Sequence, residues 1–374
     1  MRVALIHDYL NQAGGAERVV EVLCQMFPEA PLYTSVYDPE TMPAFWRKVQ
    51  IRTTFMQRLS PKLRVAKRLL PLYPVAFEKL DLSGYDLVLS SCSTFSKGVI
   101  TPPETLHVCY CHNTTRFAWM YPEYVAHEGL SRLQRTVLPF VVSPLRVWDY
   151  AAAQRVDHYV ANSRTTQQRI ATYYRRPATI IEPPIQTAEF AGGDGIVEPY
   201  FLIVSRLQSY KRIDLAVRAA ARLGLPLRIV GRGPDEARLR RLAGAGVSFL
   251  GRVSDAERVR LLQRCAAVIV AGREDFGMVA LEAQAAGRPV LAYAAGGALE
   301  TVVAGQTGAF FDEPTAESLE AALHRFDPAA YDPEACRANA RRFDVEGFKR
   351  RMHDHLATLM QQHRAQLQEG SPSR

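Results

Sequence analysis

The feature that most constrains this chain is a repeated alternation. Short apolar runs are followed by turn residues and then by segments whose apolar positions recur every three to four residues. The run RVALIHDYL leads into Gly14-Gly15, and AERVVEVLCQMF then has helical spacing. YDLVLSSCS (85–93), LHVCYCH (106–112) and VDHYVANS (156–163) read as three more buried strands, with Ser163 placed to cap a helix starting near Arg164. TIIEPP (179–184) closes this half. A second series begins at YFLIVSR (200–206) with the helix RIDLAVRAAARLG (212–224), and continues through LRIVG, EARLRRLAG, VSFLGRV, ERVRLLQRC, AAVIVAG, VALEAQAAG, PVLAY and ESLEAALHRF. Strands alternating with helices predict parallel sheets covered on both faces.

Two such series predict two doubly wound, Rossmann-like α/β domains facing across a cleft. The expected division is 1–184, a linker at 185–199 (IQTAEFAGGDGIVEP, rich in Gly, Asp and Pro), and 200–347. The segment 348–367 predicts a helix that packs back on the first domain. In open sheets of this kind, ligands bind beyond the carboxyl ends of the strands.

Composition agrees with two domains. The 374 residues are 48% hydrophobic and 22% charged, which excludes a disordered chain and a disulfide scaffold. No apolar run reaches about 18 residues, so a spanning helix is not expected. The start, MRVALIHDYL, is charged too early for a signal peptide. Six cysteines in so long a chain fit reduced thiols, and a cytoplasmic location is expected. The net charge of +8 is concentrated between 47 and 79, where Arg47, Lys48, Arg52, Arg58, Lys62, Arg64, Lys67, Arg68 and Lys79 face a single acid, Glu78. Apolar residues interleave with these cations. The stretch predicts either contact with an anionic membrane surface or a solvated face over a local core.

The most informative segment is 271–302, AGREDFGMVALEAQAAGRPVLAYAAGGALETV. A helix beginning near Phe276 puts Glu274 in the loop before it and Glu282 near its second turn. Gly277 admits a close backbone N–H, and a helix start attracts phosphate. One carboxylate then accepts hydrogen bonds from vicinal hydroxyls and the other opposes developing positive charge. Arg206 and Lys211 flank the loop RLQSYK at the end of a strand, a pair suited to a diphosphate. Gly15 opens the first helix of the other half, and His112 ends a strand there. His7, Asp8 and Arg116 share this strand-end position. No Asp-x-Asp pair occurs, so the usual divalent-metal grip is not expected. Gly231-Arg232-Gly233 lacks the third glycine of a dinucleotide loop, and no GxxxxGK[ST] phosphate loop is present.

These residues, with HDYLNQAGGAERV, LDLSGYDLVLSSCSTFSKGVIT, YCHNTTRFAW, VDHYVANS and VSRLQSYKRIDLAV, resemble the retaining glycosyltransferases of family four, which have the GT-B fold. The similarity spans nearly the whole chain. It is closest to the mannosyltransferase-like branch that builds O-antigen and exopolysaccharide units. The resemblance implies a nucleotide-diphosphate sugar donor, GDP-mannose on the branch assignment, with no resident cofactor or metal. Arg206 and Lys211 would bind the diphosphate, and Glu282 the ribose. The backbone near Arg252 and Val253 would meet the base. Glu274 and the stretch Phe276, Gly277, Met278 and Val279 would contact sugar and phosphate. Gly15 and His112 would approach from the first half, His112 as a catalytic group beside Glu274 and Gly15 as part of the donor-binding set. The implied acceptor is a saccharide or polyprenyl-diphosphate-linked saccharide, bound near 47–79 at the inner face of the plasma membrane. Arg273 replaces an acid common before Glu274, and Asn113-Thr114 replace the usual Thr-Pro. A GT-B nucleotide-sugar epimerase and a basic nucleic-acid-binding protein are the alternatives. No nucleic-acid motif supports the second.

Overall fold

The computed structural model describes residues 1–59, 69–122, 125 and 132–369. Lys62, Arg64, Lys67 and Arg68 of the basic stretch lie outside them. The chain divides into two compact units: Met1–Pro184 with the closing segment from Phe348, and Ile185–Gly347.

The first unit holds strands β1 (Val3–His7), β2 (Leu32–Thr34), β3 (Ile51–Thr53), β4 (Leu87–Cys92), β5 (Leu106–Cys111), β6 (His158–Ala161) and β7 (Ala178–Ile180). They form one parallel sheet in the order β3-β2-β1-β4-β5-β6-β7. β1, β4 and β5 are buried along their whole length, which explains their mostly apolar character. β2 and β3 have three residues each, too few to show a period in the sequence. Ser163 accepts a hydrogen bond from the Thr166 N–H and caps the helix Arg164–Arg169. The helix Arg132–Gln154 forms despite interior Pro139 and Pro144. Proline removes a ladder donor, but buried Val142 and Leu145, and Asp149 through its ion pair with Lys97, tie the helix to the rest of the unit.

The second unit holds β8 (Phe201–Val204), β9 (Leu227–Val230), β10 (Val247–Gly251), β11 (Ala267–Val270), β12 (Val290–Tyr293) and β13 (Gly308–Phe311). This sheet is also parallel, in the order β10-β9-β8-β11-β12-β13. Alternate strand residues go to opposite faces. Leu202, Val268, Val270, Val290 and Ala292 join one apolar cluster with Phe276 and Leu281. Ile203, Ile229, Ala267, Ile269 and Leu291 join another with Ala216 and Leu319.

Residues 185–199 are not a free tether. Ile185 donates its N–H to the Phe343 carbonyl, and Phe190 and Tyr200 are buried in the first of those clusters. The run is rich in Gly and Asp, but its few apolar residues dock it on the second unit. The closing helix Val345–Glu369 buries Phe348 edge-on to Tyr110 of β5, with ring centres 5.9 Å apart. Among the described residues no helix is long and apolar enough to cross a membrane.

Candidate active site

In each sheet the strand order reverses between two neighbours. The loops at the carboxyl ends of those neighbours diverge and leave room for a ligand. The reversal falls between β1 and β4 in the first unit and between β8 and β11 in the second.

In the second unit the two loops are Ser205–Arg212, after β8, and Ala271–Gly277, after β11. Lys211 and Glu274, one from each loop, meet directly. The Lys211 Nζ donates to Glu274 Oε1 at 2.7 Å and lies 2.5 Å from Oε2. Both side chains are mostly covered, so the pair is only weakly screened. Tyr210 stands beside Arg206 and Lys211 of its loop: Lys211 Nζ lies 5.4 Å from its ring centre, and Arg206 donates to its hydroxyl at 3.4 Å. The Glu274 loop is held by β12's neighbouring turn. Gly297 donates its N–H to the Glu274 carbonyl at 2.9 Å. A Cβ on Gly297 would lie 2.2 Å from Phe276 Cα, so the glycine is required by the approach of two backbones. Gly277, at φ 92°, is in the left-handed region and starts the helix Met278–Ala285. A Cβ on Gly277 would lie 3.7 Å from Glu274 Cβ, so the start of that helix borders this carboxylate.

Val253, Phe276, Met278 and Val279 share one apolar cluster, with Phe276 buried and the others at its edge. Arg252 is exposed at the end of β10. Arg206 is exposed as well. Glu282 does not open beside Glu274. It is buried, and Arg258 Nη1 donates to its Oε2 at 2.6 Å. The two acids expected to face one ligand thus differ in setting: Glu274 is partly covered and paired with Lys211, whereas Glu282 is buried and tied to the Arg258 guanidinium. Arg258 carried no signal in the sequence, because one arginine in a basic amphipathic helix looks like any solvated one.

In the first unit, His112 directly follows β5 and is buried. Its Nε2 lies 2.7 Å from Ser91 Oγ, and its carbonyl accepts from Asn162 Nδ2 at 3.0 Å. His7 and Ser91 are register partners on β1 and β4, and His7 Nδ1 lies 3.1 Å from the Ser91 carbonyl. Ser91 had a legible trace: paired serines interrupt an otherwise apolar run. Gly15 is exposed at the start of the helix Gly15–Met26. Asp8 has a different task from a ligand contact. Its Oδ2 accepts the N–H groups of Ser93 and Thr94 at 2.6 and 2.9 Å, and its Oδ1 those of Phe95 and Ser96 at 2.8 and 2.7 Å. Arg116 begins the short helix Arg116–Trp119. Asn113, one of the departures from the family pattern, turns inward and accepts from Arg169 Nη1 at 3.0 Å. Arg273, the other, is exposed.

The family model "Glycosyltransferase Family 4" matches residues 13–189, and "Glycosyl transferases group 1" matches 194–343. This is a chain of the family 4 glycosyltransferase type. The second matched region lies within the second unit, and the first falls almost wholly on the first unit. The chain is 38% identical over 154 residues to a glycogen synthase of Mycobacterium tuberculosis, and the match covers 37% of each. It is 28% identical over 296 residues to a D-inositol 3-phosphate glycosyltransferase of Mycobacterium sp. (strain KMS), covering 67% of each. Among solved structures, Anabaena HepE in complex with UDP has a TM-score of 0.69 at 19% identity, covering 96% of this chain and all of that one. The match thus spans little more than a third of the length of that glycogen synthase. The GT-B likeness of the chain's two parallel sheets extends over nearly its whole length.

The Lys211–Glu274 pair gives the first prediction. A charge-assisted hydrogen bond to a phosphate is worth about 1.5–3 kcal/mol. Lys211→Ala should therefore weaken nucleoside-diphosphate binding by roughly 10- to 100-fold and lower turnover. Titration calorimetry checks this; unchanged affinity and rate would remove Lys211 from the donor site.

Proposed function

We propose that the chain is a retaining glycosyltransferase that moves a hexose from a nucleotide-diphosphate sugar to a saccharide or lipid-linked saccharide acceptor. The observation that carries this reading is the cation and carboxylate, Lys211 and Glu274, held together at the strand-order reversal beside a helix start. The second unit binds the donor. Arg206, Lys211 and the N–H groups after Gly277 neutralise its diphosphate, doing what a metal ion does elsewhere. Glu282, fixed by Arg258, accepts from the ribose hydroxyls, and the backbone at Arg252 and Val253 meets the base. Phe276, Met278 and Val279 form the apolar floor under the sugar phosphate. Glu274 orients the sugar hydroxyls and opposes positive charge as it grows on the ring. The first unit contributes His112 as a catalytic group and Gly15, whose backbone approaches the donor.

In the reaction, the bond from the anomeric carbon to the diphosphate oxygen breaks. The acceptor oxygen bonds to the same face, and the acceptor proton passes to the departing diphosphate. Configuration is retained, and the intermediate species is oxocarbenium-like and short-lived. A covalent enzyme intermediate is not required. Assignment to the mannosyltransferase-like branch makes GDP-mannose the first donor to test. HepE, whose complexes hold UDP and UDP-glucose, makes UDP-glucose the second. The acceptor belongs to surface-polysaccharide synthesis at the inner face of the plasma membrane. Exposed Arg47, Lys48, Arg52, Arg58 and Lys79, interspersed with exposed Phe55 and Val75, support a peripheral contact with anionic lipid.

The test is thermal stabilisation by GDP, UDP and ADP and their sugars, each with and without EDTA. A ligand that binds only the folded chain raises the melting temperature. One nucleotide series should stabilise the chain strongly and equally in both conditions, with the matching sugar consumed when acceptor is supplied. No stabilisation by any of them would refute the donor site. A shift abolished by EDTA and restored by Mg²⁺ would refute the metal-free account.

A further inference from the structure

Four side chains of the first unit form a connected polar chain that the donor-site reading does not use. His7 Nδ1 lies 3.1 Å from the carbonyl oxygen of Ser91 and 3.2 Å from its hydroxyl. The same hydroxyl lies 2.7 Å from His112 Nε2. On the far side of His7, Nε2 faces Glu17 Oε1 at 3.7 Å, and Gln12 donates to that carboxylate at 3.4 Å. His7, Glu17, Ser91 and His112 are all buried. The backbone fixes the ends of the chain. His7 and Ser91 are register partners on neighbouring strands, and the N–H of His112 donates to the Cys92 carbonyl at 2.8 Å.

The hydrogens in this chain follow from elimination. A carbonyl oxygen only accepts, so the approach of His7 Nδ1 to the Ser91 carbonyl requires a hydrogen on Nδ1. That holds whether His7 is neutral or charged. With Nδ1 occupied, it cannot accept from the Ser91 hydroxyl. The remaining acceptor in contact with that hydroxyl among the described residues is His112 Nε2. Ser91 therefore donates to His112, and the proton of a neutral His112 sits on Nδ1.

We infer that Ser91 passes the placement of His7 to His112 and fixes His112 in the Nδ1–H tautomer, with Glu17 holding His7 from its other side. His7, Ser91 and Glu17 are positioning residues. The tautomer decides which edge of the His112 ring offers a hydrogen to a substrate oxygen and which edge is already engaged. Burial disfavours charge on His7, but Glu17, Asp8 and the Ser91 carbonyl together raise its pKa above the usual imidazole value. A charged His7 would strengthen its Nδ1–H as a donor and leave the assignment unchanged. The consequence for turnover rests on the catalytic role proposed for His112; the tautomer itself does not.

The experiment uses the whole chain labelled with ¹⁵N-histidine. A long-range ¹H–¹⁵N spectrum separates protonated from unprotonated ring nitrogens. The His112 signals are identified by their loss in His112→Gln. In the wild type, Nε2 should have the shift of an unprotonated nitrogen and Nδ1 that of a protonated one. Ser91→Ala should move both toward averaged values and lower turnover roughly 10- to 100-fold, with the donor KM within about twofold. His7→Phe should behave likewise. His7→Asn, which keeps an N–H near the Nδ1 position, should restore the wild-type pattern and most of the rate. A protonated Nε2 in the wild type overturns the proposal, as does an unchanged His112 pattern in Ser91→Ala. The spectrum needs no substrate, so a chain inert toward every donor would sink the transferase reading and leave the tautomer assignment standing.

Discussion

Glu274→Ala should lower turnover by about 100- to 1,000-fold, the range found when one preorganised electrostatic group is removed from a transition state. Nucleoside-diphosphate affinity should stay equal or rise. The two outcomes part because Glu274 is in contact with Lys211 at 2.7 Å before any donor arrives. A bound diphosphate competes with this carboxylate for the ammonium. Removing the carboxylate releases the cation for the phosphate and simultaneously deletes the group that opposes positive charge on the sugar ring. Ground-state binding and catalysis therefore move in opposite directions, a signature that simple loss of structure does not give. The measurement is kcat for donor consumption beside the Kd of the nucleoside diphosphate, with circular dichroism as the folding control. Wild-type kcat in this variant would remove Glu274 from the chemistry. A large loss of diphosphate affinity in a folded variant would show that its main task is to support the loop.

Asp8→Ala should destabilise the first unit by about 4 kcal/mol, taking about 1 kcal/mol for each of four hydrogen bonds. The carboxylate accepts four successive backbone N–H groups, from Ser93 to Ser96. Three of the residues involved, Asp8, Phe95 and Ser96, are buried, so water does not replace the lost acceptor easily. The apparent melting temperature of the unit should fall by roughly 10 °C. Asp8→Asn should fall nearly as far, because its amide turns an N–H₂ toward donors. Urea and thermal melts read both variants. A shift under about 1 kcal/mol in Asp8→Ala would mean that the loop holds its shape without the anchor.

Much of this molecule was legible before its structure was known. Segments buried on both faces are mostly apolar, so β1, β4, β5, β8, β11 and β12 stood out as short apolar runs. Ser163 was visible as a cap, since its hydroxyl acts within three residues. The matching of Arg206, Lys211, Glu274 and Gly277 to strand ends and a helix start also rested on local pattern. The three-residue strands β2 and β3 were not legible, because they are held by pairing, β2 with β1 and β3 with β2, and by no period of their own. The proline-bearing helix Arg132–Gln154 was equally hidden, since its local preferences oppose the packing that forms it.

What the sequence determined alone is therefore local: which residues make strands and helices, where glycine must stand, and which charged groups lie at strand ends. Tertiary structure decided their company. Strand order set β8 beside β11, and so brought Lys211 to Glu274 across 63 positions of chain. It set β1 beside β4, and so made Ser91 the bridge between His7 and His112. It also turned Asp8 into an anchor and tied Glu282 to Arg258. The reason is physical. Hydrophobic period and capping act within a few residues, whereas ion pairs and hydrogen bonds between strands depend on which strands become neighbours, and many orders bury the same apolar surface equally well.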